Sequence, residues 1–496
     1  FFFKQKTAYE IPKRDWSSDV CSSDLGHHVT VLERAAAPGG KLRALEVDGA
    51  AIDAGPTVFT MRWVFESLLA DAGLRLDDLL TLDTPSVLAR HAWRADAVLD
   101  LHANIERSVA AIREFSGAKD AAGYRDFCQR SAELYDALHA PFMTAQRPTP
   151  LQLVTRLGAT GLASMWRTAP WTTLWRSLAD HFDDVRLRQL FGRYATYVGS
   201  SPFAAPATLM LIAHVEREGV CLVRGGMREV AAALEYAGRR VGATFRYREH
   251  VAEVLLQQGR ACGVRLETGE RIAADAVVFN GDANALAGGL LGDEARTAVP
   301  AITPRQRSLS AVTWCLHAPA RGFPLEHHNV FFGDDYEREF RAVFDQGRIA
   351  EAPTVYLCAQ DRGVAGRDPP THRERMLLLV NAPADGDGAE TTARDLAAIE
   401  QRMFTVLERC GLTFERRSDD CVVTTPTGFE RAFPGSGGAL YGRANHGPLA
   451  SFARPAAASK IAGLYLAGGT AHPGAGIPMA TLSGRLAAAR INAALR

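Results

Sequence analysis

Between Gly463 and Arg485 a short apolar strand, Leu464 to Ala467, runs into a loop carrying Gly468, Gly469, Gly474 and Gly476. A helix then opens with Pro478 near its first position and stays apolar to Leu495. Glycine lets backbone approach a flat ligand closely, and proline is preset for a helix start. The N–H groups left free at a helix N-terminus suit a ligand that gains negative charge, as a reduced flavin does. Taken alone, an ordinary glycine-rich strand–loop–helix connection explains this stretch equally well. A second cluster, distant in sequence, shifts the balance. His28 to Glu33 is an apolar run ending in an acid, followed by Gly39, Gly40 and Lys41. In a dinucleotide-binding βαβ unit the second strand is buried, and the carboxylate at its end accepts hydrogen bonds from the ribose hydroxyls. Glu33 fits that role, with Gly39 and Gly40 as close-approach backbone. Asp53 to Thr57 adds a tight turn, through Gly55 and Pro56, where backbone touches the ligand.

The elements that should position these residues are incomplete upstream. The fingerprint G-x-G-x-x-G is expected roughly 20 residues before the ribose acid, closing the first strand and opening the first helix. Residues 1–25 contain no glycine, and Pro12 with the Ser-Ser-Asp repeats would break such a pattern. This head resembles translated sequencing-adapter sequence joined at about Gly26, standing in place of the first strand and its glycine fingerprint, and is set aside from the fold argument. The expectation is a chain that binds its dinucleotide less tightly than one with the cradle intact.

The whole chain of 496 residues is long enough for two or more domains. Its 47% hydrophobic and 23% charged residues describe a globular protein, and 56 basic against 56 acidic residues give no reason to expect nucleic acid. Eight scattered cysteines without a C-x-x-C pair read as buried small hydrophobes in a reducing compartment. The pairs His27-His28 and His327-His328 lack an acid or cysteine at ligand spacing, so no metal site is expected. No signal peptide is expected from this sequence. The longest window without charged residues, Tyr194 to Val215, is punctuated by Gly199, Pro202 and Pro206, and reads as a loop leading into a short helix rather than a membrane span.

The pattern predicts an α/β protein in which a Rossmann-type cofactor domain (26–58, 219–300 and 420–496) is interleaved with an α+β substrate domain (59–218 and 301–419). Met61 to about Arg193 reads as helical. Short strands are predicted at Val220 to Val223, Phe245 to Arg248, Val251 to Leu256, Gly263 to Glu267 and Ala276 to Phe279, with a helix over Arg228 to Tyr236. Further strands are predicted at Ala311 to His317, Thr354 to Cys358 and Met376 to Val380. The backbone of Val251 is a candidate adenine contact. Trp166, Trp171 and Trp175 alternate with Arg156, Arg167 and Arg176. Such a helix lies in a bilayer interface or packs as an ordinary amphipathic helix, and only a water-insoluble substrate favours the first.

These stretches together resemble the phytoene desaturase family of flavin-dependent carotenoid desaturases and isomerases. The match runs in order through Val29 to Arg34, Gly39 to Lys41, Asp53 to Val58, Arg193 to Gly199, Ser201-Pro202, Gly225 to Met227 and Asn280 to Asp282. It continues through Thr425-Pro426, Gly438 to Gly442 and Gly468 to Arg485. Within the family, Gly55 to Phe65 and Pro473 to Met479 look most like the hydroxycarotenoid 3,4-desaturases. The resemblance implies noncovalent FAD, with Glu33 at the ribose, Gly40 and Lys41 near the cofactor, and Gly55, Pro56 and Thr57 near the ring. Val251 falls at the adenine, and Gly469, Gly476, Ile477 and Met479 in the closing loop and helix start.

Taking hydrogens from adjacent carbons of a polyene needs a hydride acceptor and a route for a proton. A cation spread over a conjugated chain asks little charge stabilisation of its site, which accounts for the lack of a triad, paired carboxylates or metal motif. His472 and Arg193 are the weak catalytic candidates, with loop and ion-pair roles as alternatives, and the sequence does not select a proton acceptor. Without a second glycine fingerprint for a nicotinamide, the expected electron acceptor is a membrane quinone or dioxygen. Three readings stay open. The first is 3,4-desaturation of a 1-hydroxy- or 1-methoxy-carotenoid at the cytoplasmic face of a membrane, bound peripherally to the lipid surface. The second is a flavin amine oxidase, or a phytoene desaturase or carotenoid isomerase. The third is a chain that folds but holds cofactor poorly.

Overall fold

A computed structural model describes residues 2–3, 27–168, 171–363, 370 and 372–496. Two sheets organise them. The first has five strands, in the order Leu464–Leu466, Val277–Phe279, Phe2–Phe3, Thr30–Glu33 and Thr244–Tyr247. Its outer pairs are parallel: Val277–Phe279 with Leu464–Leu466, and Thr30–Glu33 with Thr244–Tyr247. Phe2–Phe3 fills the gap between these pairs and runs antiparallel to both neighbours. A parallel dinucleotide sheet would carry its first strand in that position. Apolar triplets such as Val277-Val278-Phe279 are buried throughout, as strands covered on both faces must be. A three-stranded antiparallel sheet, Val251–Gln257, Arg260–Leu266 and Arg271–Ala273, packs beside it.

The second sheet has seven strands, in the order Cys421–Thr424, Ser310–Ala318, Glu374–Ala382, Val355–Ala359, His328–Phe331, Val87–Arg94 and Ala97–His102. Period-two alternation gives it two different faces. Val312, Trp314, Leu316, Leu357, Leu378 and Val380 point one way and form a core with Met403, Val406 and Leu407 of helix Ala393–Arg409. Thr313, His328, Val330, Tyr356, Leu377, Leu379 and Asn381 point the other way and roof the central cavity.

Helices Ile105–Ser116, Ala118–Leu138, Val185–Gly192 and Leu211–Glu218 close the substrate side. They pack around Phe127, Phe182, Phe191 and Tyr194. Gly117, at φ 101°, breaks the first two apart, and Asn104 caps the first by accepting the Arg107 N–H.

The predicted strands and helices fall where expected to within a few residues, with two departures. The stretch from Met61 to Arg193 is not uniformly helical: Val87–Arg94 and Ala97–His102 form a hairpin on the edge of the large sheet. Register shifts at Val87/Ala89 and Ala92/Arg94 break the alternation that would have marked it in the sequence. Cys421–Thr424, expected with the closing cofactor segment, instead pairs with Ser310–Ala318 as the other edge.

Candidate active site

One cavity of about 2550 Å³ lies between the two sheets and reaches from Glu33 to Phe452. That is several times the roughly 300–1,000 Å³ of an ordinary small-molecule site. Its walls are mainly apolar, with polar groups gathered in two places.

The first lies along the parallel sheet. Glu33 ends its strand at the cavity, with Oε1 accepting the Ala35 N–H at 2.7 Å. That bond orients the carboxylate at the position expected for a ribose partner. Gly39 (φ 121°) turns so tightly that a Cβ there would lie 2.4 Å from the Leu42 carbonyl oxygen, whereas a Cβ at Gly40 would meet nothing within 4 Å. Gly40 therefore presents bare backbone to the cavity. A Cβ on Gly55 would fall 1.7 Å from the Lys41 carbonyl oxygen, so the loops carrying Lys41 and Gly55 lie backbone against backbone. Beyond Gly55, Pro56 and Thr57 continue the wall.

Lys41 is half-buried and donates from Nζ to the Leu440 carbonyl at 2.5 Å. Its nearby countercharge is Asp282, whose Oδ1 caps helix Ala283–Ala287 and whose Oδ2 is buried with no partner. Burial pulls Lys41 down and Asp282 up, and each partly restores the other's charge. Gly469 and the loop to Gly476 close this end. The helix Ile477–Leu495 begins there with Gly476 as its cap and no side chain on its first N–H groups. Ile477 and Met479 line the cavity, as does the buried Val251 at the far end.

All eleven residues expected to hold the cofactor thus line one cavity. The observations that test the fit to FAD are the open Gly40 backbone, the uncapped helix start and the orphaned Asp282 Oδ2, and each matches a flat anionic ligand with hydroxyls. The segment where a pyrophosphate cradle would fall, residues 4–26, lies outside the described residues.

The second polar group sits under the large sheet. Thr57 Oγ1 is 2.6 Å from the Tyr356 hydroxyl, which is 2.7 Å from His328 Nδ1. His328 Nε2 is buried and unpartnered. Arg193 lies beside them, 5.1 Å from the Tyr356 ring centroid and 5.2 Å from that of Tyr197, donating to the Tyr197 hydroxyl at 3.2 Å. Arg193 therefore lines the cavity and His472 does not. The His472 imidazole is engaged with the Ala145 carbonyl at 2.9 Å and packs edge-on to Phe142, so the structure gives it a loop-anchoring position.

Tyr356 and His328 were not singled out from the sequence as members of this group. The only local signal is alternation within their strands, which does not say which face meets a cavity. Strand pairing also sets His328 opposite Cys358, a cysteine the spacing did not reveal, and brings Cys358 Sγ to 3.4 Å from His327 Nε2. Burial keeps that thiol protonated and that imidazole neutral, and Nδ1 of both histidines is already engaged. The contact is a thiol–imidazole hydrogen bond.

Sheet, strand-end carboxylate, glycine loops and helix start together define a flavin-dependent oxidoreductase. A model of the flavin containing amine oxidoreductases matches residues 7–492, and the chain belongs to that family. Similar curated proteins are carotenoid-pathway enzymes. The hydroxyneurosporene desaturase of Rubrivivax gelatinosus is 51% identical, covering 95% of this chain and 90% of the relative. That of Cereibacter sphaeroides is 45% identical over 95% of this chain and 94% of its own length. Among solved structures, a putrescine oxidase bound to putrescine superposes with a TM-score of 0.56 at 15% identity, covering 95% of both chains. An oxidoreductase from Methanosarcina mazei gives 0.55 at 14% identity, again covering 95% of both. These structures share the fold. The relatives place the chain on the carotenoid desaturase branch, with FAD as its cofactor.

Proposed function

We propose that this chain catalyses the FAD-dependent 3,4-desaturation of an acyclic carotenoid carrying a hydroxyl or methoxyl group at C1. The observation that carries the reading is the large cavity, which joins the residues expected around FAD to an apolar chamber between the two sheets. Bound FAD supplies a hydride acceptor. The protein orients the polyene along Leu377, Leu379, Val330 and Leu209, and keeps water from the reacting carbons. In this reading residues 26–58, 219–300 and 425–496 serve the cofactor and 59–218 and 301–424 serve the substrate.

Glu33 holds the ribose, Val251 faces the adenine, and the Gly55–Thr57 loop borders the ring. Gly469, Gly476, Ile477 and Met479 present backbone N–H groups and helix dipole to the flavin. Electrons pass on to a membrane quinone or to dioxygen, which fits a sequence holding no glycine fingerprint for a nicotinamide.

Access from a lipid surface is supported by the cavity rim. Leu151 and Val154 of helix Pro150–Thr168 are 74% and 42% exposed, and Leu449 is 60% exposed. Their neighbours Leu153 and Phe452 line the cavity. Trp171 is exposed, Trp175 packs inward on Phe203, and the side chains of Trp166 and Arg167 lie outside the described residues. No helix among the described residues is long and apolar enough to cross a membrane. In this reading the chain attaches peripherally, at the cytoplasmic face.

The test is incubation of the FAD-loaded chain with membranes bearing a 1-hydroxylated acyclic carotenoid. A longer conjugated system appears as a red-shifted absorption. No shift with that substrate, but one with phytoene, assigns the chain to the sibling activity.

A further inference from the structure

Arg193, His328 and Tyr356 form a polar group in a mainly apolar chamber, and Arg193 and His328 keep polar atoms without a partner in the protein. Among the described residues no carboxylate forms an ion pair with Arg193. Glu216 also lines this cavity; burial pushes its carboxyl up, and Tyr194, Arg193 and Tyr197 partly offset that. The guanidinium makes one hydrogen bond, to Tyr197, and rests between two tyrosine rings. His328 Nε2 has none. A buried donor or acceptor left unpaired is costly, so such groups usually await a ligand or water.

Position limits what that ligand is. Thr57, in the loop expected beside the flavin ring, is joined through the Tyr356 hydroxyl to His328 by two short hydrogen bonds. With the ring beside Thr57, the polar group stands next to the place where carbons react. In 3,4-desaturation the oxygen on C1 is only two carbons from C3, and must lie beside the reacting bond as well.

We infer that Arg193, with His328 and Tyr356, receives the C1 oxygen of the substrate and sets the preference for oxygenated chain ends over plain hydrocarbon ones. This rests on the carotenoid reading above and adds the residues that select the substrate. Arg193 donates to either a hydroxyl or a methoxyl oxygen. His328 Nε2 pairs well with a hydroxyl, which both donates and accepts, and less well with an ether, which only accepts. A hydrocarbon end would seal Arg193 away from water and leave the buried Nε2 still without a partner. Sites built to bind a hydroxyl discriminate strongly against its absence for that reason.

Binding tests this without turnover. The full chain is titrated in detergent micelles with a 1-hydroxylated acyclic carotenoid and with the same polyene lacking the hydroxyl. Circular dichroism induced in the polyene band reports binding. The wild type should prefer the hydroxylated polyene by at least about tenfold. Arg193→Met should bring the two affinities to within about threefold by weakening only the hydroxylated one, with Arg193→Lys restoring part of the preference. His328→Phe should lower it about threefold to tenfold. Equal wild-type affinities would overturn the inference while leaving the carotenoid reading intact. So would an equal loss for both polyenes in the Arg193 and His328 variants. A wild type that bound neither polyene would remove the carotenoid reading itself.

Discussion

Glu33 and His472 show how differently two residues of the same motifs behave once placed. Glu33 keeps one carboxylate oxygen on the Ala35 N–H and offers the other to the cavity. A charge-assisted hydrogen bond to a ribose hydroxyl is worth roughly 1.5–3 kcal/mol. Glu33→Gln should therefore weaken FAD binding about tenfold to a hundredfold, read by titrating flavin fluorescence, with little change in melting temperature.

His472 is a matter of stability. Burial holds its imidazole at about 4, against 6.5 in an unfolded chain, while the Ala145 carbonyl partly offsets that. The folded value is the lower one, so between these limits the unfolded chain takes up a proton that the native state refuses. The stabilising contribution is complete above about pH 6.5 and drains away as pH falls toward 4. His446, also held at about 4 by burial, adds to the same acid limb. Replacing His472 with Gln should shrink the stability loss between pH 7 and pH 5 by about 1–2 kcal/mol, measured from urea midpoints at the two values.

At the scale of elements, the cofactor wall depends on loops that touch backbone to backbone. Gly55 lies against the Lys41 carbonyl with no room for a methyl group, and neither partner is a flexible side chain. Gly55→Ala should cost about 1–3 kcal/mol and strip flavin from the purified protein. Gly40→Ala meets no atom and should cost only the strain of its φ of 56°, on the order of 1–2 kcal/mol. Comparing the two by thermal melting and flavin absorbance separates packing from conformation.

The same scale shows where reading the chain succeeds. The strand Leu464–Leu466, the glycines after it and a helix opening at Pro478 were legible because each is a local choice of residue type. The hairpin Val87–His102 was not, because its bulges hide the alternation and its partner His328–Phe331 lies more than two hundred residues away in the chain.

For the whole molecule, the first sheet is the point of weakness. Phe2–Phe3 enters between Val277–Phe279 and Thr30–Glu33 against the direction of both, and no glycine lies in residues 1–25. A parallel strand closing in G-x-G-x-x-G would instead aim a helix N-terminus at the pyrophosphate. Replacing residues 1–25 with such a strand–loop–helix should raise the fraction of protein purified with bound flavin several-fold. Flavin absorbance per chain measures it, and an unchanged ratio would show that the remaining wall is enough.

The sequence by itself determined the strand-end acid Glu33, the glycine turns, the helix start and the kinship they spell out, since each is written in neighbouring residues whose chemistry is local. Only the tertiary structure decided that Thr57, Arg193, His328 and Tyr356 meet, and that His472 turns away from the cavity. Those outcomes depend on which face of a distant strand points inward, and that is fixed by the pairing of sheets across hundreds of residues rather than by any one segment.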